Sequence, residues 1–150
     1  MKGRTYRYFQ GEPLWPFGYG LSYTTFRYSA LTLPNAPINA GDSLNVAVTV
    51  TNTGLLAGDE VVQLYVRFPG VPGAPNLALR GFRRIHLTPR SSRKVEFVLN
   101  ARDLSMVTEA GDIIVAEGTY TVSVGGGQPN TEAPSISGKL AVSGQTLLPE

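Results

Sequence analysis

The sequence predicts an all-β protein, an antiparallel β-sandwich of about seven strands. Three observations carry this expectation. Apolar and polar residues alternate with a period of two in several separate runs. Turn signals rich in Gly, Pro, Asn and Asp divide those runs at short intervals. No stretch of useful length shows the 3.6-residue period of an amphipathic helix. The chain has 150 residues, 17 of them Gly and 11 Pro, with 42% hydrophobic and 16% charged. That is the length of one domain and the composition of short strands joined by turns.

The elements follow in order. Phe26 to Leu33 reads as a first strand, stopped by Pro34, and 35–42 as a turn-rich loop. Leu44, Val46, Val48 and Val50 alternate with Asn45, Ala47 and Thr49, the mark of a half-buried strand closed by Asn52-Thr53-Gly54. Ala57-Gly58-Asp59 forms a turn that opens a third strand, Glu60 to Phe68. Val62, Leu64 and Val66 share one of its faces, and Val61, Gln63 and Tyr65 the other. The loop 69–75 is built from Pro and Gly and excludes regular structure. Leu79 to Leu87 is again extended, and Pro89 to Ser92 turns. Val95, Phe97 and Leu99 alternate once more. A short helical turn is expected over Ala101 to Met106 and a loop over Glu109 to Asp112. Gly118 to Gly125 is a strand whose Tyr120 stands where sandwiches place a tyrosine corner. Ile136, Leu140 and Val142 mark the last strand. The expected core is Val46, Val48, Val50, Val62, Leu64, Val66, Phe97, Tyr120, Val122 and Val124.

Residues 6–26 do not fit this pattern. They hold eight of the fourteen aromatic residues, yet show no clean period, and Pro13, Pro16, Gly11, Gly18 and Gly20 forbid a long helix. An apolar segment without regular structure of its own packs on something else. The wording Pro13-Leu14-Trp15-Pro16-Phe17-Gly18-Tyr19-Gly20-Leu21-Ser22-Tyr23-Thr24-Thr25-Phe26 resembles the C-terminal linker of glycoside hydrolase family 3 enzymes, the β-glucosidases and β-xylosidases. The resemblance continues through Ala40-Gly41-Asp42, Val48 to Gly54, Gly58 to Val66, Leu79 to Arg84 and Glu117 to Tyr120, in the family's order. Two loops depart from it: Pro89-Arg90-Ser91 where Pro-Gly-Glu is common, and Gly125-Gly126-Gly127 in place of a Gly-Ser-Ser-type turn.

The resemblance implies an immunoglobulin-like, fibronectin type III-like domain over residues 26–143. It also implies a linker from a preceding α/β sandwich domain over 1–25 and a tail over 144–150. It further implies a non-catalytic structural role beside absent catalytic domains, in a secreted or periplasmic parent enzyme. Tyr8, Phe9, Trp15, Phe17, Tyr19 and Tyr23 are the candidate interdomain or ligand contacts. An accessory module that binds polysaccharide or lignin is the alternative, favoured if these rings lie exposed and coplanar. In the isolated chain the same segment would fold back on the sandwich or form a homodimer.

No catalytic constellation is expected. Retaining glycosidases need two carboxyls about 5–5.5 Å apart, and the adjacent Asp59 and Glu60 should diverge. In the family the nucleophile is an aspartate of a separate barrel domain and the acid/base a glutamate elsewhere; no residue here matches either motif. His86 is the one histidine and there is no cysteine, so no disulfide or common zinc site is expected, and no cofactor. Gly125-Gly126-Gly127 follows a strand with no helix after it, which argues for a loop and against phosphate binding. Asn52-Thr53-Gly54 is not a glycosylation triplet. Net charge is only +2. Arg80, Arg83, Arg84, Arg90 and Arg93 interleave with Phe82, Ile85 and Leu87 as on a strand with one wet face, fitted to water or to acidic groups of a neighbouring domain rather than to nucleic acid. No apolar run is long enough to span a membrane, and Met1-Lys2-Gly3-Arg4 is not followed by a signal-peptide core.

Overall fold

The computed structural model describes residues 5–9, 11 and 14–149. Its long strands are β1 (Phe26–Thr32), β3 (Leu44–Asn52), β4 (Gly58–Arg67), β5 (Ala78–Leu87), β6 (Ser92–Leu99), β9 (Gly118–Gly125) and β10 (Ser135–Ser143). Short strands β2 (Ile38–Asn39), β7 (Met106–Val107), β8 (Ile113–Val115) and β11 (Thr146–Leu147) and one helical turn, α1 (Ala101–Leu104), fill the connections. One sheet runs β1-β3-β6 and the other β2-β10-β9-β4-β5, while β11-β8-β7 forms a small third sheet. All pairings are antiparallel except the short parallel one of β2 with β10.

The period-two pattern sets which side chains meet. Val46, Val48 and Val50 of β3 and Val95, Phe97 and Leu99 of β6 face Val62, Leu64 and Val66 of β4 and Tyr120, Val122 and Val124 of β9 in one apolar core. Every core residue expected from the sequence is buried. Met106, Ile114 and Val115 of the small sheet join the same core, with Leu104 of α1. Asn100 caps α1: its side chain accepts from the backbone N–H of Arg102 and Asp103, while the Asp103 carboxylate accepts from Asn100 N–H. The tyrosine corner is present, with Tyr120 Oη donating to Ala116 O at 3.0 Å and accepting from Ala116 N–H at 3.2 Å.

Four local expectations need correction. The 35–42 loop contains β2, and β11 follows the strand expected to be last. Met106 belongs to β7 rather than to the helical turn, which ends at Leu104. Asp59 lies inside β4, not in a turn ahead of it. Two-residue strands carry no alternation to read. They exist because β10 and β8 offer them free backbone partners, a long-range fact.

One buried polar side chain joins the layers. Asn52, at the end of β3, is fully buried. Its Oδ1 accepts from Thr24 Oγ1 at 2.7 Å and from Gly54 N–H at 3.0 Å. Its Nδ2 donates to Leu56 O at 2.8 Å and to Leu87 O, at the end of β5 in the opposite sheet, at 3.1 Å. The carboxamide is saturated.

Two substitutions test this account. Val48 is wholly excluded from water, so Val48→Asp is expected to abolish the cooperative thermal transition seen by circular dichroism, because an unpaired buried charge is very costly. Asn52→Ala leaves two carbonyls, an amide and a hydroxyl without their partner, and is expected to cost about 3 kcal/mol in urea unfolding. A cost below about 1 kcal/mol would show that water replaces the side chain.

Candidate interdomain surface

From Val62 to Val66, β4 is buried on both faces. Val62, Leu64 and Val66 point into the core, while Gln63 and Tyr65, on the outer face of the sheet, are covered as well. What covers them is the N-terminal segment. Tyr6 stands edge-on to Tyr65, with ring centroids 6.4 Å apart at 85°, and stacks on Phe17 at 4.2 Å and 11°. Tyr6 Oη accepts from Leu79 N–H at 3.1 Å, and Arg7 O accepts from Asn76 N–H at 2.7 Å. Gln63 links the layers: its Oε1 accepts from Tyr65 Oη at 2.6 Å, and its Nε2 donates to Gly126 O at 3.3 Å and to Gly18 O at 3.4 Å. Residues 14–25 thus form a strap that runs from the outer face of the sheet to Thr24, where Asn52 receives it.

Gly18 is required at the crossing. Its φ is +77°, and a side chain there would overlap the Gln63 amide. No motif in the sequence marks Gln63, Tyr65, Asn76 or Leu79 as contacts of the N-terminal segment. The legible signal is that β4 carries large apolar or aromatic residues on both faces, Val62, Leu64 and Val66 on one and Val61 and Tyr65 on the other, unlike a half-buried strand.

The candidate contact residues sit as follows. Tyr8 is half-buried, and the Tyr8 and Phe9 amides close a turn on Thr5 O. Phe17 is held by Tyr6. Trp15 and Tyr19 contact each other at 4.7 Å with a 45° tilt, so they do not present the flat, coplanar pair of a polysaccharide platform. Tyr23 touches little, at 97% exposure. The strap also leaves Leu14, Trp15 and Leu21 open, at 88, 65 and 90%. Beside it, Phe82 of β5, opposite Gln63 in register, is exposed as well. So many large apolar side chains left open in and beside one segment mark a surface suited to a further contact.

The acidic residues do not form a catalytic pair. Asp59 faces out, with His86 Nδ1 at 2.6 Å and Arg84 Nη2 at 2.5 Å; their hydrogen bonds hold its carboxyl below the usual range. Glu60 faces inward and accepts from Tyr28 Oη at 2.5 Å. Burial pushes the Glu60 carboxyl up, against the opposing effect of that hydrogen bond, and pushes the Tyr28 hydroxyl up further. Among the described residues no three His, Asp or Glu side chains converge as a metal would need.

With this geometry in view, comparison with known proteins is decisive on the fold. A family profile described as a fibronectin type III-like domain matches residues 60–128. This chain carries a fibronectin type III-like domain. A β-xylosidase of Formosa agariphila is 42% identical over 134 residues, 88% of this chain and 18% of that protein. Thermostable β-glucosidase B of Acetivibrio thermocellus is 37% identical over 125 residues, 80% of this chain and 17% of that protein. The structure of β-glucosidase 3B from Thermotoga neapolitana in complex with glucose superposes with a TM-score of 0.81 at 35% identity, over 95% of this chain and 19% of that one. Homologues of this domain are therefore β-xylosidases and β-glucosidases of glycoside hydrolase family 3, and the chain spans under a fifth of the length of these three relatives.

Two outcomes are expected here. Gly18→Ala should loosen the strap without unfolding the sandwich: limited proteolysis within residues 14–23 should accelerate while the thermal midpoint stays within about 2 °C of wild type. Unchanged cleavage would mean that the Gly18 crossing does not hold the strap. The second concerns pH. With the folded-state Glu60 carboxyl raised, its contribution to stability is full below the ordinary carboxyl range and is lost as pH rises through the raised value. Glu60→Gln keeps an acceptor for Tyr28, and should therefore gain on wild type between about pH 4 and about pH 7. Urea midpoints at both pH values check this, and an unchanged difference rules it out.

Proposed function

We propose that this chain is the C-terminal, non-catalytic part of a longer family 3-type glycoside hydrolase, in which it braces the catalytic domains. The observation that carries this is the strap. It is anchored from below by Gln63 and Asn52 and through Phe17 on Tyr6, yet turns Leu14, Trp15, Leu21 and Tyr23 outward. Burying those four side chains against a neighbouring domain would remove a large apolar area from water, at about 25 cal/mol per Å². The match of nearly the whole chain to less than a fifth of β-xylosidase and β-glucosidase relatives supports the same reading. So does the divergence of Asp59 and Glu60, whose side chains leave opposite faces of β4.

The test is the long form, expressed from the coding sequence upstream of residue 1. Replacing Trp15, Leu21 and Tyr23 together by Ser should lower its thermal midpoint and its aryl-glycoside turnover, and leave unchanged the midpoint of the isolated chain measured at a dilution where wild type is monomeric. Equal shifts in both would place these side chains inside this domain's own stability and end the bracing role. The isolated chain should not hydrolyse aryl β-glucosides or β-xylosides. It should self-associate in light scattering, and the triple variant should be monomeric. Turnover abolished by a substitution in this chain would overturn the non-catalytic reading.

A further inference from the structure

A cleft of about 300 Å³ opens between the strap and the connection from Gly126 to Pro134 that follows β9. Its lining includes Tyr19, Phe26, Glu60, Gln128, Thr131 and Glu132. Among the described residues no Lys, Arg or His lines it. Glu60, one of the lining residues, is half-buried. Tyr28 Oη donates to Glu60 Oε1, and among the described residues no donor reaches Oε2 and no cation pairs with the group. The opening beside that carboxylate is kept by Gly126: any side chain there would overlap Glu60 Oε1.

A half-buried carboxylate supported by one hydroxyl and no cation is costly in its charged form, which is why burial raises it. A cation in the cleft would remove that cost. It would also meet a second carboxylate and the ring of Tyr19. An anion would face two carboxylates. A sugar ring would need an open flat aromatic face, and Tyr19 is tilted against Trp15.

We propose that this cleft is a socket for an organic cation, an ammonium or guanidinium group, with Glu60 as its counter-ion and Glu132 at its rim. The socket is built wholly from this chain, so it stands or falls separately from the bracing role. The cation has two possible sources, a lysine or arginine side chain of a neighbouring domain or a free small amine, and they share this chemistry.

The experiment is an amide-resolved NMR titration of the 150-residue chain at neutral pH and low salt. The probes are ethylammonium, methylguanidinium, Nα-acetyl-lysinamide and Nα-acetyl-argininamide, with acetate and methyl β-xyloside as controls. The cations should shift Gly126, Gly127 and Thr131 saturably, and the controls should not. Glu60→Gln should weaken binding roughly ten-fold or more. Glu132→Gln, in an exposed loop where folding is not at stake, should weaken it less. Gly126→Ala should abolish it in a chain whose spectrum stays dispersed. Tighter binding of the peptide-borne cations than of ethylammonium assigns the socket to a protein side chain, and the reverse order to a free amine. The proposal is overturned if no cation saturates below about 0.1 M, if Glu60→Gln binds as well as wild type, or if the neutral glycoside saturates the same resonances more tightly.

Discussion

Asn52 is the point on which the arrangement depends. It is an amide in an apolar interior, where each unpaired polar atom would cost about 1–3 kcal/mol. All of its bonds are made, and they reach the strap at Thr24, the β3–β4 turn at Gly54 and Leu56, and the opposite sheet at Leu87. The directionality of those bonds does what apolar packing cannot. Valine on valine tolerates sliding, whereas a saturated carboxamide accepts one register of two sheets and one path for the entering chain. The same path is pinned at Gly54 and Gly58, where a side chain would overlap Thr24.

From that point the strap has little freedom. It leaves Thr24 beside the cleft, crosses Gly18 over Gln63, and stacks Phe17 on Tyr6, which itself contacts the sheet. The outer face of β4 therefore becomes a second, smaller core of Tyr65, Gln63 and Tyr6 on the far side of the sheet. This second layer converts an irregular aromatic segment into a fixed surface. Its inner side is satisfied by the sandwich, and its outer side leaves Leu14, Trp15, Leu21 and Tyr23 exposed.

The charged residues divide along the same strand. Asp59 and Glu60 are neighbours in sequence, and the pleat sends them to different solvents. Asp59 meets Arg84 and His86 in water, so its charge is supported. Glu60 meets Tyr28 near the core, so its charge is penalised. Adjacency in the chain thus separates two carboxyls instead of pairing them.

The sequence by itself determined the long strands, the two inner faces and the tyrosine corner. Alternation is a local property, and burying one face of a pleated strand admits only one phase of it. The family resemblance of residues 13–26 was legible in the same way, as was the conclusion that an aperiodic aromatic run must pack on something. Only the tertiary structure decided what it packs on. That Gln63 and Tyr65 face the N-terminal segment, and not water, follows from a hydrogen bond between residues 63 and 18 and a ring contact between 65 and 6. The short strands β2 and β11 likewise arise from partners supplied by β10 and β8. The cleft around Glu60 needs three separate segments brought together, at Tyr19, Tyr28 and Gly126. These are long-range coincidences of position. A period of two fixes the direction in which a side chain points, whereas its neighbours across the sheet come from residues tens of positions away in the chain.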